Sequence, residues 1–277
     1  MKKIISYILV LFLCLTIIGS TLLSIFNKNV LKYNSMIARI EKEDFYNKTY
    51  SNINSKFSEY IEQSGLDKDV LKEVCSVEQI KKDVEGTIKS IYYNKEYTID
   101  SDTIKENLTK NIYASLEKEK RIISSAQKSS IDKFVTTITD VYKSEVFPTQ
   151  IRATLTTYMS KISTLVAIAI PILFGLLGVI AVVLLFINIK GKSSVLTYYG
   201  ISGISSGILL VIPEVFIKSK LGINNINIIS GAISDLLRAI ANDIFSSILI
   251  YGIVFIVIGI IFVIIGNIIK VNQNRSE

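Results

Sequence analysis

Four stretches of this chain carry no charged residue and are long enough to cross a lipid bilayer. They cover residues Ile4–Phe26, Ser163–Ile189, Val195–Pro213 and Ile244–Ile269. A helix of about 20 apolar residues spans the hydrocarbon core of a membrane. Backbone that faces lipid must also satisfy its own hydrogen bonds, which favours helices. The pattern therefore predicts four transmembrane helices, with the lipid bilayer as the first partner.

The first apolar stretch has two interpretations. It begins with MKK and contains the small residues of IGST, as a cleaved signal peptide does. Its apolar run is longer than the roughly 7–15 residues of a signal-peptide core. We therefore expect residues 1–27 to form an uncleaved anchor, and a cleaved signal peptide is the alternative.

Basic residues at the ends of the apolar stretches predict the orientation. If the amino terminus is inside, six of them fall on the same side: Lys2, Lys3, Lys190, Lys192, Lys270 and Arg275. The positive-inside rule then places both termini in the cytoplasm and residues 28–162 outside a plasma membrane. The abundance of isoleucine, lysine and asparagine, without tryptophan, is typical of an AT-rich bacterial genome.

The region from residue 28 to 162 is expected to be an extracytoplasmic helical domain. Between Asn27 and Phe147 it has no proline, and its glycines are Gly65 and Gly86. All-β folds need many turn residues, so this composition favours helices. From Asn27 to Ile162 the chain has 22 Lys and Arg against 20 Asp and Glu. The net charge of +7 therefore reflects membrane topology, and no nucleic-acid partner is expected.

Periodicity predicts four amphipathic helices in this domain. The first is expected to continue unbroken from the membrane helix, over residues 30–63, and to stop at Gly65. The other three are expected to be capped by Ser76 (with Gln79), by Asp102 or Thr103, and by Ser129. Tyrosines in the segment IYYNKEYTI form either a contact surface or a packed loop; they are Tyr92, Tyr93 and Tyr97.

Glycines at regular spacing predict close helix packing in the membrane part, residues 163–277. Helix four has Gly252, Gly259 and Gly266, each seven residues apart, and helix three has Gly203 and Gly207 in GISSG. Small residues allow membrane helices to approach closely. The two glycine faces pair either within one chain or between two copies, so a homo-oligomer is an open alternative.

Two features mark the outer ends of helices three and four. Pro213 and Glu214 are expected to mark where helix three leaves the membrane. A short amphipathic helix is expected at about 228–242, with Ile233 and Leu236 opposite Asp235. It would shield the bundle, close over it as a lid, or bind a partner.

The sequence offers no catalytic, cofactor-binding or metal-binding residue. GISSG matches a nucleophile elbow, but the chain has no histidine to act as general base. It also lacks a Gly-rich phosphate loop and a Cys-x-x-Cys pair. Acidic residues at 67–69 and 100–102 are expected to cap helices rather than bind calcium. Cys75 is either a reactive thiol or a small semi-buried apolar residue, and a disulfide with Cys14 is not expected.

We therefore expect an all-α, four-helix polytopic membrane protein that is not an enzyme. Its outer domain would sense, scaffold or bind a cell-envelope protein partner. The order of one helix, a large outer domain and three helices resembles the MacB/FtsX type of ABC-transporter membrane subunit. That resemblance implies transmission of a conformational change from a cytoplasmic ATPase, although the loop KGKSS is short for holding one. A transporter or channel subunit is the third hypothesis.

Overall fold

The structure, a computed structural model, describes residues 2–120, 123–189, 191–220 and 231–275. These residues contain no strand, and the predicted all-α class is confirmed. A short 3₁₀ helix covers Lys68–Leu71. The α-helices of the described residues are α1 (Lys2–Asn29), α2 (Tyr33–Lys42), α3 (Phe45–Ser64), α4 (Val77–Tyr93), α5 (Asp102–Lys118), α6 (Ser125–Val146), α7 (Thr149–Ile187), α8 (Lys192–Lys220) and α9 (Gly231–Arg275).

The chain divides into two compact units. We call the first the apolar unit; it comprises the described residues of 1–31, 162–226 and 240–277. The second, the charged unit, comprises those of 32–161 and 227–239. Helices α7 and α9 each contribute residues to both units.

Among the described residues, four helices are long and apolar enough to cross a membrane: α1, α7, α8 and α9. Their apolar side chains face outward to a large extent, with Leu165 67% exposed and Phe186 65% exposed. Apolar surface of this extent is unfavourable in water and stable in lipid. The helices are therefore compatible with a multi-pass membrane protein.

The charged unit has its own apolar core. Each of its longer helices buries one face, as amphipathic helices do. The fully buried side chains include Ile53, Phe57 and Ile61 of α3, Ile80 and Val84 of α4, Ile104, Leu108 and Ile112 of α5, and Ile138 and Tyr142 of α6. Helices α3 to α6 are therefore amphipathic, as the periodicity predicts.

The expected unbroken helix over residues 30–63 is wrong. Lys32 is extended (φ −102°, ψ 117°), which separates α1 from α2. Asp44 is left-handed at φ 54°, which separates α2 from α3. Aspartate tolerates this conformation better than most residues, because its short polar side chain can bond locally. At the far end α3 does stop at Gly65, which is also left-handed, as predicted.

Two of the predicted helix starts are also wrong. Helix α6 begins at Ser125, and its capping box joins Ser124 to Gln127, so Ser129 lies inside the helix. Helix α5 begins at Asp102 after Ser101, which makes no side-chain cap bond. The start of α4 is as predicted: the backbone N–H of Gln79 donates to Ser76 Oγ at 3.1 Å.

The end of α8 and the start of α9, which correspond to the predicted helices three and four, differ from the expectation. Helix α8 continues beyond Pro213 to Lys220, so the proline does not end it. The side chain of Glu214 lies outside the described residues. So does the first part of the amphipathic helix expected at about 228–242. Its described part, from Gly231, forms the first turns of α9, and residues up to 239 pack within the charged unit.

Candidate functional site

An apolar groove lies at the end of the charged unit where α3 and α5 end and α6 begins. Its volume is about 350 Å³, within the range of pockets that hold small ligands. The apolar side chains of its walls are all half-buried: Leu66, Leu116, Ile123, Ile131 and Phe134. The groove therefore presents apolar surface to solvent, and it is our candidate binding site.

Polar side chains form the rim of the groove, and local backbone groups already bond them. Ser64 Oγ donates to the carbonyl of Ile61 at 2.8 Å. Gln127 Oε1 accepts from the backbone N–H of Ser124 at 2.9 Å. Ser130 Oγ donates to a carbonyl of its own helix at 3.1 Å. Because these groups are engaged in helix caps and turns, recognition in the groove rests mainly on apolar contact.

Sequence reasoning did not identify this groove. Helical periodicity alone places Leu116, Ile131 and Phe134 on the apolar faces of α5 and α6, along with true core residues. They differ by lying in the last turn of α5 and the first turns of α6, where fewer neighbouring helices cover them. Their position near the predicted helix ends was the feature of the sequence that could have indicated incomplete burial.

A polar cleft of about 480 Å³ lies beside the 3₁₀ helix and contains Asp67 and Asp69. Asp67 Oδ1 accepts from the backbone N–H of Asp69 at 3.0 Å, so the capping role expected for Asp67 is confirmed. Among the described residues, no group of three or more acidic or cysteine side chains is placed to hold a metal ion.

A fully buried carboxylate lies at the centre of the charged unit. Asp83 Oδ2 accepts from the hydroxyl of Tyr142 at 2.6 Å, and Oδ1 accepts from the hydroxyl of Tyr97 at 2.8 Å. Oδ1 also accepts from the backbone N–H of Asp100 at 3.0 Å. Burial, and then the bond to Asp83, raise the pKa of Tyr142 and of Tyr97 above the usual value of 10. This network joins α4, α6 and the loop before α5, and we call it the Asp83 network.

The thiol of Cys75 lies near the Asp83 network. Burial, reinforced by the charge of Asp83, raises the pKa of Cys75 to about 12. A thiol with such a pKa is almost entirely protonated at neutral pH and is a poor nucleophile. Cys75 is half-buried, which favours its interpretation as a small semi-buried apolar residue, and both Cys75 and Cys14 are free thiols.

Close packing fixes the loop between α4 and α5. A Cβ atom added to Gly86 would overlap the ring of Tyr97, so a side chain there would displace the loop. The guanidinium of Arg152 donates to the carbonyl of Tyr97 at 2.5 Å. This arrangement accounts for Tyr97 as a packed loop residue.

The other two tyrosines of the segment lie on a different surface. The ring centroids of Tyr92 and Tyr93 are 6.0 Å and 5.6 Å from that of Tyr33, the first residue of α2. Tyr93 is 53% exposed. We call these three residues the tyrosine cluster. Sequence reasoning found two of its members but missed Tyr33, which lies 59 positions before Tyr92.

The five predicted packing glycines all lie at contacts between α8 and α9 within one chain. An added Cβ at Gly259 would lie 2.7 Å from the Gly200 carbonyl oxygen. One at Gly203 would lie 3.3 Å from the Cα of Gly259, and one at Gly266 would lie 2.8 Å from the Ser193 oxygen. The remaining two, Gly207 and Gly252, face each other. The helices approach so closely that no larger residue fits without a shift.

Hydroxyl and amide groups of the apolar unit bond to backbone or to one another. Ser206, in the GISSG segment, donates to the carbonyl of Ser202 at 2.6 Å and lies 3.3 Å from the Cys14 oxygen. Tyr199 donates to the carbonyl of Ala181 at 2.6 Å. These bonds satisfy polar groups inside the unit and connect its helices.

No family model, curated protein or solved structure matches this chain. Proposals about its function therefore rest on its own residues.

Proposed function

We propose that this chain is a non-enzymatic, multi-pass plasma-membrane protein whose charged unit lies outside the cell and binds a protein partner of the cell envelope. In this proposal both termini are cytoplasmic. The observation that carries it is the division of the chain into an apolar unit with outward-facing apolar side chains and a charged unit with a buried core. Outward-facing apolar side chains are favoured in contact with lipid, and a charged surface around a buried core is favoured in contact with water.

The apolar groove supplies the binding site in this proposal. Its residues on α6, from Gln127 to Phe134, lie about 18–29 Å along the helix axis from Val146, the end that leads into α7. Apolar side chains such as leucine or phenylalanine fill a groove of this volume and release water from its walls. We therefore expect the partner to insert an apolar segment there.

Site-specific photocrosslinking in intact cells tests the groove. A photoreactive phenylalanine analogue at Phe134 is expected to form a discrete crosslinked protein band, and the same analogue at Tyr60 is expected to form none. Both sites are aromatic, and Tyr60 lies outside the groove wall at 36% exposure. Equal crosslinking from both positions would contradict the proposal, and a band that contains an ATPase would favour the MacB/FtsX type of function instead.

Orientation is tested separately by labelling with a membrane-impermeant maleimide. A single cysteine at Lys128, in a chain whose two natural cysteines are serine, is expected to react in intact cells. A cysteine at Lys3 is expected to react only after the cells are opened. The opposite pattern would reverse the proposed topology.

A further inference from the structure

The tyrosine cluster is tied to the end of a candidate membrane helix by a very short piece of chain. Helix α1 ends at Asn29, and the cluster begins at Tyr33. An extended chain spans at most about 3.6 Å per residue, so the Cα atom of Tyr33 lies within about 14 Å of that of Asn29. This limit follows from covalent geometry alone.

That tether places the cluster at the membrane surface if α1 crosses the bilayer, a condition that rests on the proposed function. Helix α1 has 28 residues and is about 42 Å long, which exceeds the hydrocarbon core of about 30 Å. Its outer end, and Tyr33 with it, then lies at or near the headgroup layer. The ring contacts bring Tyr92 and Tyr93, the last residues of α4, to the same level.

Tyrosine is a residue type that is favoured at the headgroup layer of a membrane. Tyrosine combines an apolar ring with a polar hydroxyl, and it is enriched where a membrane meets water. Tyr93 is 53% exposed, although its ring is large enough to be buried in a core. The exposed ring of Tyr93 is therefore available to contact an environment that is partly apolar, such as the boundary between lipid and water.

Positive charge flanks the cluster. Lys32 precedes Tyr33, Lys89 lies one turn before Tyr93 on the same face of α4, and Lys95 follows the helix; all three are exposed. Two acidic side chains lie near these lysines: Glu85 of α4, which accepts a hydrogen bond from Tyr46 at 3.0 Å, and the exposed Glu96, which follows Lys95. The three lysines outnumber them. Each lysine near a membrane surface attracts anionic headgroups by about 1 kcal/mol.

We propose that the tyrosine cluster and Lys32, Lys89 and Lys95 form a surface that binds anionic phospholipid headgroups of the outer leaflet. This surface holds the end of α4 at the membrane, whereas the groove at the start of α6 remains available to a protein partner.

The absence of tryptophan from the chain makes a direct test possible. Three full-length variants each receive one tryptophan: Tyr93→Trp in the cluster, Tyr60→Trp in α3 as the matched control, and Phe12→Trp in α1 as the depth reference. They are reconstituted into nanodiscs that contain phosphatidylglycerol brominated in its acyl chains. We expect the bromolipid to quench Phe12→Trp strongly and Tyr93→Trp at least twofold more than Tyr60→Trp.

The three reporters separate failure of this proposal from failure of the proposed function. Quenching of Phe12→Trp, with Tyr93→Trp no more quenched than Tyr60→Trp, would overturn the headgroup surface and leave membrane insertion intact. An unquenched Phe12→Trp would overturn both. In the Tyr93→Trp chain, changing Lys32, Lys89 and Lys95 to glutamine is expected to reduce quenching.

The same change at three exposed lysines elsewhere, Lys110, Lys118 and Lys128, serves as the control and is expected to leave quenching unchanged. Equal effects of the two triple variants would overturn the role assigned to the cluster lysines.

Discussion

The Asp83 network shows at the scale of single residues how the charged unit is fixed. A buried carboxylate without partners is very unfavourable, but Asp83 receives hydrogen bonds from two hydroxyls and one backbone N–H. The donors come from α6 and from the loop before α5, which is otherwise free of secondary structure. The carboxylate therefore requires both segments to be in place, and it links the loop to the core.

Removing one donor is expected to destabilise the charged unit. Tyr142→Phe keeps the ring, which is fully buried, but leaves one oxygen of Asp83 without its partner. We expect the free energy of unfolding to fall by about 1–3 kcal/mol, the usual cost of such a loss. Thermal unfolding of the detergent-solubilised protein measures this, with Tyr113→Phe at a half-exposed site as the control. A Tyr142→Phe chain as stable as the control would contradict the role of the network.

The same tyrosines predict a loss of stability at alkaline pH. Their pKa values are raised in the folded protein above the ordinary value of 10, so their contribution is fully present below pH 10. As the pH rises above 10, the unfolded chain ionises first and stability falls. We expect Tyr142→Phe to reduce the slope of stability against pH between pH 10 and 12. Parallel slopes for the variant and the parent chain would count against this.

At the scale of elements, α8 and α9 depend on glycine because their backbones nearly touch. Lipid provides no hydrophobic driving force between apolar helices, so close contact and packing hold them together. The glycines at these contacts are spaced along both helices, so the whole length of the pair is involved.

One methyl group at this contact is expected to separate the helices. At Gly259 an added Cβ would lie 2.7 Å from both the Gly200 oxygen and the Ile204 nitrogen, and backbone atoms cannot give way easily. We expect Gly259→Ala to cost about 1–3 kcal/mol. Gly175→Ala is the matched control, since outside the neighbouring backbone of its own helix no atom of the described residues lies within 4 Å of its added Cβ. Thermal denaturation in detergent compares the two, and equal midpoints would show that the contact tolerates a side chain.

Elements with strong local patterns were predictable from the sequence, and their junctions were not. The faces of α3 to α6 follow from periodicity, because burial selects apolar residues at helical spacing. The breaks at Lys32 and Asp44 depend on two backbone angles that no residue type in that segment demands. The Asp83 network was invisible for another reason: Asp83 and Tyr142 are 59 positions apart and meet only in the folded unit.

At the scale of the whole molecule, the charged unit includes residues from late in the chain. The first turns of α9 bury Ala232, Ile233 and Leu236, and Asp235 pairs with Lys48 of α3 at 2.9 Å. The ion pair is more than one-third exposed on each side, so solvent screens it. Burial of the apolar side chains therefore provides most of the attachment.

Two neighbouring substitutions distinguish these contributions. We expect Leu236→Ala to destabilise the charged unit by about 2–4 kcal/mol, because it removes a side chain that is 7% exposed. Asp235→Asn is expected to cost less than about 1 kcal/mol. Protease resistance of the full-length protein across a denaturant series compares them. A larger effect of Asp235→Asn would mean that the ion pair, rather than burial, attaches these turns.

This attachment has a consequence for the order of events during synthesis. Lys48 and Asp235 are 187 positions apart, which a ribosome working at about 5–20 residues per second covers in roughly 10–40 s. During that interval, while α7 and α8 are synthesised, the first turns of α9 are not yet present to pack beside α3. In a nascent chain at that stage, the polar side of α3 that borders these turns, including Asn47, Lys48 and Asn52, is exposed to solvent. Helix α9, which is translated after α7 and α8, therefore completes the charged unit.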